Sequence, residues 1–399
     1  MSESKVMDSG KRPYLFSAIV GQEKIKTAYL ANIVNPGIGG LLISGPKGTG
    51  KSTIVHSAIN ILPHYQAVVG CGFNCDPKKP EKFCTLCRER ENLRSEQRRM
   101  RIVTLPLSCT EDRLLGSVDI ETLLKTGEKE IQVGLLGEAH RNILYVDEVN
   151  LLPDHLVDDI LDAAASPWNT IEREGISITH PAEFILIGTM NPEEGELRPQ
   201  ILDRFPLCIK VESVYEPDQR VEIVKRNLLY ESNPDRFIEV FEKEETATRQ
   251  IIARAKELHP KVAMDEAYLY AVAEAAGKLK VDGQRPDIVI VKTAQTVAAV
   301  DGRTDVAEKD VLLAAELTLS HRTRDGGLLE PPTTDEILEA FSGALRKVAE
   351  RSKTSGGKKK YVSASGDIDQ DTGSFVDDGD FDHVDAEDVD DGADTQKKK

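Results

Sequence analysis

The sequence lacks long apolar runs, and it also lacks an excess of positive charge. No window approaches the ~18 consecutive apolar residues of a transmembrane helix, so we expect no membrane partner. The stretch from Met1 to Lys11 is polar and has no hydrophobic signal-peptide core. We therefore expect a cytoplasmic protein with a disordered leader over residues 1–12. Acidic residues outnumber Lys and Arg even when the C-terminal acidic segment is set aside, which argues against a nucleic-acid partner.

Negative charge is concentrated near the C-terminal end of the sequence. Thirteen acidic residues and no Lys or Arg lie between residues 366 and 395. Without these acids and the three final lysines, 48 basic residues stand against 55 acidic ones, a net charge of −7. A segment of this composition cannot bury enough apolar area to fold alone. Residues 352–399 are therefore predicted to be a disordered acidic tail.

The rest of the chain divides into two parts by its hydrophobic pattern. Residues 13–215 alternate strand-like and helix-like segments, which predicts an α/β domain with a parallel sheet. From residue 216 the pattern is helical only, which predicts a lid domain over residues 216–351. The amphipathic helices predicted there are 217–230, 234–258, 264–279, 286–300, 307–320 and 334–351.

One stretch predicts a phosphate-binding loop. Gly45-Pro-Lys-Gly-Thr-Gly-Lys51-Ser52 follows an apolar run and precedes a helical pattern, the context in which this motif binds a nucleoside triphosphate. Its glycines let backbone N–H groups and the helix N-terminus face the phosphates. The alternative interpretation is a glycine-rich turn in which the lysine occurs by chance and no phosphate binds. Lys51 is expected to reach the β- and γ-phosphates, and Ser52 to ligate Mg²⁺. The residues expected to bind the nucleotide are Gly45, Gly48, Thr49, Gly50, Lys51, Ser52, Thr53 and Asp147.

A second motif is the apolar run 143–146 followed by Asp147 and Glu148. Carboxylates at the carboxyl end of a strand lie where open α/β sheets bind ligands. Asp147 is expected to hold Mg²⁺, and Glu148 to orient and activate the attacking water. Alone, such a run is ordinary; after a good phosphate loop it indicates a hydrolytic site.

Asn191 follows the predicted strand 184–189 and precedes Pro192. Its amide can position the attacking water between the γ-phosphate and Glu148. The alternative is an Asx-turn before the proline.

Two arginines are further candidates. Arg204 lies near the domain edge, where it can reach a neighbouring subunit's γ-phosphate as an arginine finger; a surface pair with Asp203 is the alternative. Arg285 begins a predicted lid helix and can contact ATP from the lid. Its alternative is an ion pair with Asp282 or Asp287.

Four of the six cysteines form the pattern Cys71-x₃-Cys75-x₈-Cys84-x₂-Cys87. Such spacing in a reducing compartment favours a metal over disulfides, either Zn²⁺ or an Fe–S cluster. Free thiols in a loop and redox regulation are the alternatives. The charged segment 89–101 that follows is predicted to be a helix or linker.

Taken together, these motifs resemble an AAA+ ATPase, and more narrowly the ATPase (I-type) subunit of magnesium chelatase. The resemblance covers about residues 13–330. The stretches that carry it are 18–22, 45–52, 71–77, 110–113, 143–152, 171–177 and, as the most diagnostic, the run from Gly188 to Phe205.

The resemblance implies a three-layer αβα P-loop domain with a C-terminal helical lid. It makes Asn191 sensor 1, Arg204 the arginine finger and Arg285 the lid's sensor 2. It also implies a Cys-rich insert at about 71–87, a helix-2 insert at about 108–139 and a pre-sensor hairpin at about 168–180. The family forms rings, commonly hexamers, that use ATP and Mg²⁺. Its partners are a D-type AAA+/integrin-like subunit and a large porphyrin-binding subunit on which the metal is inserted.

The acidic tail departs from a minimal I subunit and resembles the acidic linker of the D subunit, but no Asp-x-Ser-x-Ser motif follows it. The resemblance makes Lys51, Ser52, Asp147 and Glu148 the Walker A and B residues. Because all four are present, an active motor is favoured over a non-catalytic ring scaffold. The leading hypothesis is a motor for inserting Mg²⁺ into protoporphyrin IX. The alternatives are the ATPase of a cobalt chelatase acting on a corrin precursor and a MoxR-like chaperone for metalloprotein maturation.

Overall fold

The structure is a computed structural model that describes residues 12–118, 131–173, 176–355 and 361–364. Most of the leader, part of the predicted helix-2 insert, the turn of the predicted hairpin and nearly all of the acidic tail lie outside these residues. Within them, no helix has both the length and the apolar character needed to cross a bilayer.

Strands are numbered here in chain order over the described residues. They are β1 (Gly40–Ser44), β2 (His64–Val68), β3 (Ser95–Arg99), β4 (Ile102–Leu105), β5 (Gly116–Val118), β6 (Ile131–Val133), β7 (Ile143–Val146), β8 (Trp168–Arg173), β9 (Ile176–Pro181), β10 (Ile185–Met190), β11 (Leu207–Lys210), β12 (Ala263–Asp265) and β13 (Tyr361–Ser363).

The α-helices of the described residues are numbered in the same way. They are α1 (Glu23–Val34), α2 (Lys51–Ser57), α3 (Thr85–Arg88), α4 (Glu111–Leu115), α5 (Leu135–Ala139), α6 (Asp154–Ala165), α7 (Pro199–Leu202), α8 (Pro217–Ser232), α9 (Pro234–Leu258), α10 (Glu266–Lys278), α11 (Arg285–Val300), α12 (Glu308–Leu319) and α13 (Thr334–Ser355).

Five strands form one parallel sheet in the order β11-β1-β10-β7-β4. Since β1, β10 and β7 are neighbours, the loops that follow them leave the same edge of the sheet side by side. Those loops begin at Gly45, Asn191 and Asp147, three positions singled out from the sequence. The topology therefore brings the predicted motifs together at the carboxyl edge, where open α/β sheets bind ligands.

The sheet is buried on both faces, as its continuous apolar strands require. Side chains alternate between two cores: Leu41 and Ile43 enter one, and Leu42 enters the other. The first core contains α1, α2 and the lid helices, and the second contains α5 and α6. The result is the three-layer αβα arrangement that the resemblance implied.

From residue 217 the described chain is helical apart from β12 and β13, and its helices lie where the sequence predicts them. Helix α1 packs against α9 and α11, so the lid shares an apolar core with the sheet. Buried Glu245 of α9 accepts hydrogen bonds from the N–H groups of Phe16 and Ser17, at 3.2 and 2.8 Å. This contact ties the N-terminal entry segment to the lid.

Two sequence expectations about secondary structure are wrong. The charged segment 89–101 contains strand β3, which pairs antiparallel with β2 from His64↔Arg99 to Val68↔Ser95. Pairing satisfies the β3 backbone while Ser95, Gln97 and Arg99 remain exposed, so a strand forms without an apolar pattern.

The second error concerns the tail predicted from residue 352. Helix α13 continues to Ser355, and Tyr361–Ser363 pair antiparallel with β12. The Gln295 side chain also donates to the Val362 carbonyl at 3.2 Å. These tertiary hydrogen bonds supply the order that local composition does not predict.

Candidate nucleotide-binding site

The predicted phosphate loop joins β1 to α2 and has the backbone that its glycines permit. Gly48 and Gly50 have φ values of 79° and 80°, a conformation that side chains with a Cβ rarely adopt. A Cβ on Gly45 would lie 2.5 Å from the Val211 carbonyl oxygen of the neighbouring β11 segment. Glycine at these three positions is therefore a steric requirement of the loop.

Lys51 is the first residue of α2 and its side chain folds back across the loop. Its Nζ donates to the carbonyl oxygens of Gly45 and Pro46, both at 2.7 Å. An ammonium group has three donors, so one remains for an anion. Burial lowers the pKa of Lys51, and nearby carboxylates, Asp147 foremost, oppose that shift.

Ser52 and Asp147 face one another across the loop. The Ser52 Oγ lies 3.3 and 3.4 Å from the two carboxylate oxygens of Asp147. The Tyr145 and Thr189 hydroxyls donate to Asp147 Oδ1 at 2.8 and 2.5 Å. A hydroxyl and a carboxylate so placed provide the oxygen ligands that Mg²⁺ prefers, and the donors fix the carboxylate's orientation.

Tyr145 and Thr189 were not singled out from the sequence, because both read as ordinary members of buried strands. Burial raises the pKa of Tyr145, so its hydroxyl stays a donor at neutral pH. The sequence pattern that could have identified Tyr145 is the alternation of side chains along a strand, which places Tyr145 on the same side of β7 as Asp147.

Glu148 occupies the left-handed backbone region with a φ of 53°, which is uncommon for a residue with a side chain. Its N–H donates to the Thr189 Oγ1 at 3.2 Å, which holds the turn after β7 in place. Such a conformation costs on the order of 1 kcal/mol or more and is enriched at functional sites.

Asn191 is buried and adopts the Asx-turn that was its alternative interpretation. Its Oδ1 accepts from the N–H of Glu193 at 3.2 Å, and its carbonyl accepts from the Asn150 side chain at 3.3 Å. Asn191 nevertheless lines the same small cleft as Lys51, Asp147 and Glu148. The two interpretations are therefore compatible, because the turn fixes the side chain beside the carboxylates.

Two adjoining cavities surround the loop, one of about 580 Å³ and one of about 260 Å³. The smaller holds the polar groups just described, and both share residues 47–51. The larger is lined on one side by Ile19, Val20 and Gln22, which belong to the stretch 18–22 that precedes the phosphate loop. A mostly apolar cavity joined to a polar one suits a nucleobase attached to phosphates.

Arg204 is not among the described residues that line these two cavities. Its guanidinium pairs with Asp162 of α6 on an exposed surface. The expected partner Asp203 instead accepts from the N–H and hydroxyl of Thr323, at 3.3 and 2.8 Å. The local pair with Asp203 is thus wrong, and a different surface carboxylate holds Arg204.

Arg285 begins α11 and is exposed to solvent. Among the described residues lining the two cavities, Arg285 is also absent. Asp282 and Asp287 were the alternative ion-pair partners of Arg285. Asp282 accepts a hydrogen bond from the Gly326 N–H at 3.0 Å, and Asp287 is half-buried. Burial lowers the pKa of Arg322, and the positive charge of Arg285 adds a smaller lowering, so a second cation lies within electrostatic reach of Arg285.

Arg322 and His321, which sequence reasoning missed, join the lid to the segment that carries Arg204. The buried Arg322 guanidinium donates to the carbonyls of Asp203, Phe205 and Pro206, and burial lowers its pKa to about 10. The His321 Nε2 lies 2.9 Å from the Phe205 carbonyl oxygen, and burial lowers the pKa of His321 to about 3. Both residues follow α12 in a polar stretch, so nothing local indicates this role.

The four predicted cysteine ligands are together. Their Sγ atoms all lie within 4.8 Å of one another, and all four side chains are buried. The group lies in the insert between β2 and β3. None of the four cysteines is among the described residues that line the nucleotide cleft.

The chain has a parallel sheet with a phosphate loop after β1, two carboxylates after β7 and a helical lid. This combination defines an AAA+ ATPase. A family model for the AAA lid domain matches residues 269–341, and one for magnesium chelatase subunit ChlI matches residues 117–215. A putative ATPase from Cytophaga hutchinsonii has the same fold, with a TM-score of 0.50 and 16% identity over 86% of this chain and 92% of that one.

The sequence relatives identify the family. A magnesium-chelatase subunit ChlI homolog of Methanocaldococcus jannaschii is 48% identical over 84% of this chain and 92% of its own length. A magnesium-chelatase subunit ChlI of Mesostigma viride is 46% identical over 83% of this chain and 93% of its own length. The chain belongs to the magnesium-chelatase subunit ChlI family.

Proposed function

We propose that this protein is the ATP-hydrolysing motor subunit of a magnesium chelatase. It drives insertion of Mg²⁺ into protoporphyrin IX on a separate large subunit. The observation that carries the proposal is the small cleft in which Lys51, Ser52, Asp147, Glu148 and Asn191 converge, in a chain of the ChlI family. Since one relative named above is a magnesium-chelatase subunit and the other is named as its homolog, magnesium is favoured over cobalt and over a chaperone role.

The cleft residues divide the hydrolytic work. The loop N–H groups and Lys51 hold the phosphates, while Ser52 and Asp147 hold the Mg²⁺ of Mg-ATP. Glu148 orients and deprotonates the attacking water, and Asn191 positions that water. A scaffold would not need these polar groups arranged around one space.

Arg204 acts on the nucleotide of a neighbouring subunit. Its exposed position, outside the lining of its own cleft, supports action in trans, and its pair with Asp162 is a contact that assembly would exchange. The segment's carbonyls are clamped by Arg322, so the finger projects from a rigid base. Arg285 contacts the nucleotide from the lid after lid closure.

Assembly follows from a shared ATP site. We propose a ring, a hexamer as in the family, that works with a D-type AAA+/integrin-like subunit and a large porphyrin-binding subunit. The inserted Mg²⁺ is a substrate of the large subunit and is distinct from the Mg²⁺ of Mg-ATP.

The proposal is tested by reconstitution with a D-type and a large subunit. Mg-protoporphyrin fluorescence should appear only when this chain, both partners and ATP are present. No product in the complete mixture, or cobalt insertion into a corrin precursor in place of it, would overturn the proposed function. Omission of each component in turn is the control.

A further inference from the structure

The insert between β2 and β3 contains buried cysteines where an apolar core would be expected. Its core consists of Val68, Phe73 and Phe83 together with the four cysteines 71, 75, 84 and 87. We call residues 64–99 the cysteine module. So few large apolar side chains cannot hold an extension of this size, and natural modules of this kind use a metal or disulfides.

The thiol geometry suits one small ion. Cys71 and Cys84 have their Sγ atoms 3.9 Å apart, and the whole group lies within 4.8 Å. Four thiolates at a Zn–S distance of about 2.3 Å form a tetrahedron with edges of about 3.8 Å. An Fe–S cluster places several iron and sulfide atoms between its thiolates and needs a wider cage.

The surrounding backbone supports charged sulfur at this position. The Cys84 N–H donates to the Cys75 Sγ at 3.2 Å. Arg98 of β3 donates to the Cys71 carbonyl at 2.8 Å and to the Asn74 side chain at 2.6 Å. Because Arg98 fixes the loop between the first two cysteines, β3 and the thiol cage are parts of one unit.

The module also packs against the β8–β9 hairpin. Phe73 stacks on His180 of β9 with a centroid distance of 4.5 Å, and Thr85 donates to the Thr179 carbonyl at 3.1 Å. Arg88 lies over the Trp168 ring of β8 at 5.3 Å. Phe73, which lies between the first two cysteines, and helix α3, which carries the fourth, therefore contact the same hairpin.

We propose that Cys71, Cys75, Cys84 and Cys87 bind one Zn²⁺ ion as a structural tetrathiolate site, which braces the hairpin β8–β9. This inference does not depend on the proposed function, because none of the four thiols lines the nucleotide cleft.

The first test uses the full wild-type chain, expressed without added metal and purified under reducing conditions. Elemental analysis should give about one zinc per chain, released by an organomercurial thiol reagent and captured by a coloured zinc indicator. Absence of zinc, or iron in its place, would overturn the proposal. Equally damaging would be four thiols that react with a disulfide reagent as fast as Cys109.

Variants provide the second test. Cys84→Ser should lower the zinc affinity more than about tenfold, whereas the matched control Cys109→Ser, outside the module and partly exposed, should keep one zinc. Fluorescence of Trp168, the one tryptophan in the sequence, then reports on the hairpin. Its spectrum should change on removal of zinc from the wild type and return when Zn²⁺ alone is restored. A spectrum that is unchanged by zinc removal would refute the bracing role even if Cys84→Ser fails to fold.

Discussion

The nucleotide cleft and the cysteine module place buried or half-buried polar groups in opposite settings. In the cleft, Asp147 accepts from Tyr145 and Thr189, and Lys51 donates to loop carbonyls, so each group has a partner within the chain. Two apolar cores hold the strands beneath them. In the module, four thiols chiefly face one another above a very small core.

This difference indicates how each region uses its ligand. The cleft keeps its shape through the sheet, so a nucleotide can bind and leave at every turnover. The module lacks the apolar area to keep its shape, so the zinc ion that we propose would have to stay bound. Ligand removal should therefore stop activity in the first region and loosen structure in the second.

The largest effect is expected at the proposed subunit boundary, where Arg204 of a neighbouring subunit would complete the cleft. Arg204→Ala should lower ATP hydrolysis by about 10³-fold, the range that trans arginine fingers supply. Arg198→Ala is the matched control, since Arg198 is another exposed arginine paired with carboxylates of α6.

Mixing tests whether Arg204 acts in trans. Rings of Arg204→Ala and Lys51→Ala subunits contain interfaces at which an intact Lys51 meets an intact Arg204. Partial recovery of ATPase activity is expected at intermediate ratios. Activity that never exceeds that of the separate variants would argue that Arg204 does not serve a neighbour's nucleotide.

The lid junction is a third setting, in which buried polar groups need no ligand. In the folded protein, burial lowers the pKa of His321 to about 3, so the ring stays neutral above that pH. In the unfolded chain the same imidazole has a pKa of about 6.5. Stability is therefore full above pH ~6.5 and is lost as the pH falls, at about 1.4 kcal/mol per unit for this ring. His321→Gln should remove that part of the slope in urea unfolding between pH 7 and 5.

His140 is also buried with a pKa of about 3, so the His321→Gln variant should retain a shallower slope. Identical pH dependences for the wild type and the variant would show that His321 does not contribute to the loss of stability in acid.

The smallest effect is expected within the cleft, where Asp147 accepts hydrogen bonds from the hydroxyls of Ser52, Tyr145 and Thr189. Tyr145→Phe removes one and should weaken Mg-ATP binding about fivefold, or about 1 kcal/mol, since Thr189 still orients the carboxylate. Calorimetric titration measures the affinity. Tyr65→Phe, which removes a hydroxyl bonded to Asn142 outside the cleft, should leave it unchanged. An equal loss of Mg-ATP affinity in Tyr65→Phe would show that the effect comes from lower overall stability and not from the orientation of Asp147.

Much of the fold follows from local pattern. The buried strands β1, β7 and β10 read as continuous apolar runs, and the phosphate loop reads from its glycines. Strands β3 and β13 were missed because their order comes from backbone pairing with distant segments.

The candidate site divides in the same way. Lys51, Ser52, Asp147 and Glu148 carry local motifs, whereas Thr189 and Arg322 act through contacts formed only in the fold. The structure shows Arg204 paired with Asp162, and the nucleotide that we propose it contacts belongs to a second subunit, which no single-chain pattern specifies.

The most direct test of the motor is Glu148→Gln in the reconstituted chelatase. The variant should bind Mg-ATP as tightly as the wild type, because loop, Lys51 and Asp147 are unchanged. It should lose hydrolysis and Mg-protoporphyrin formation together, each by at least about 10²-fold. Formation of Mg-protoporphyrin at the wild-type rate by Glu148→Gln, with hydrolysis abolished, would contradict a mechanism in which this chain's ATP hydrolysis powers metal insertion.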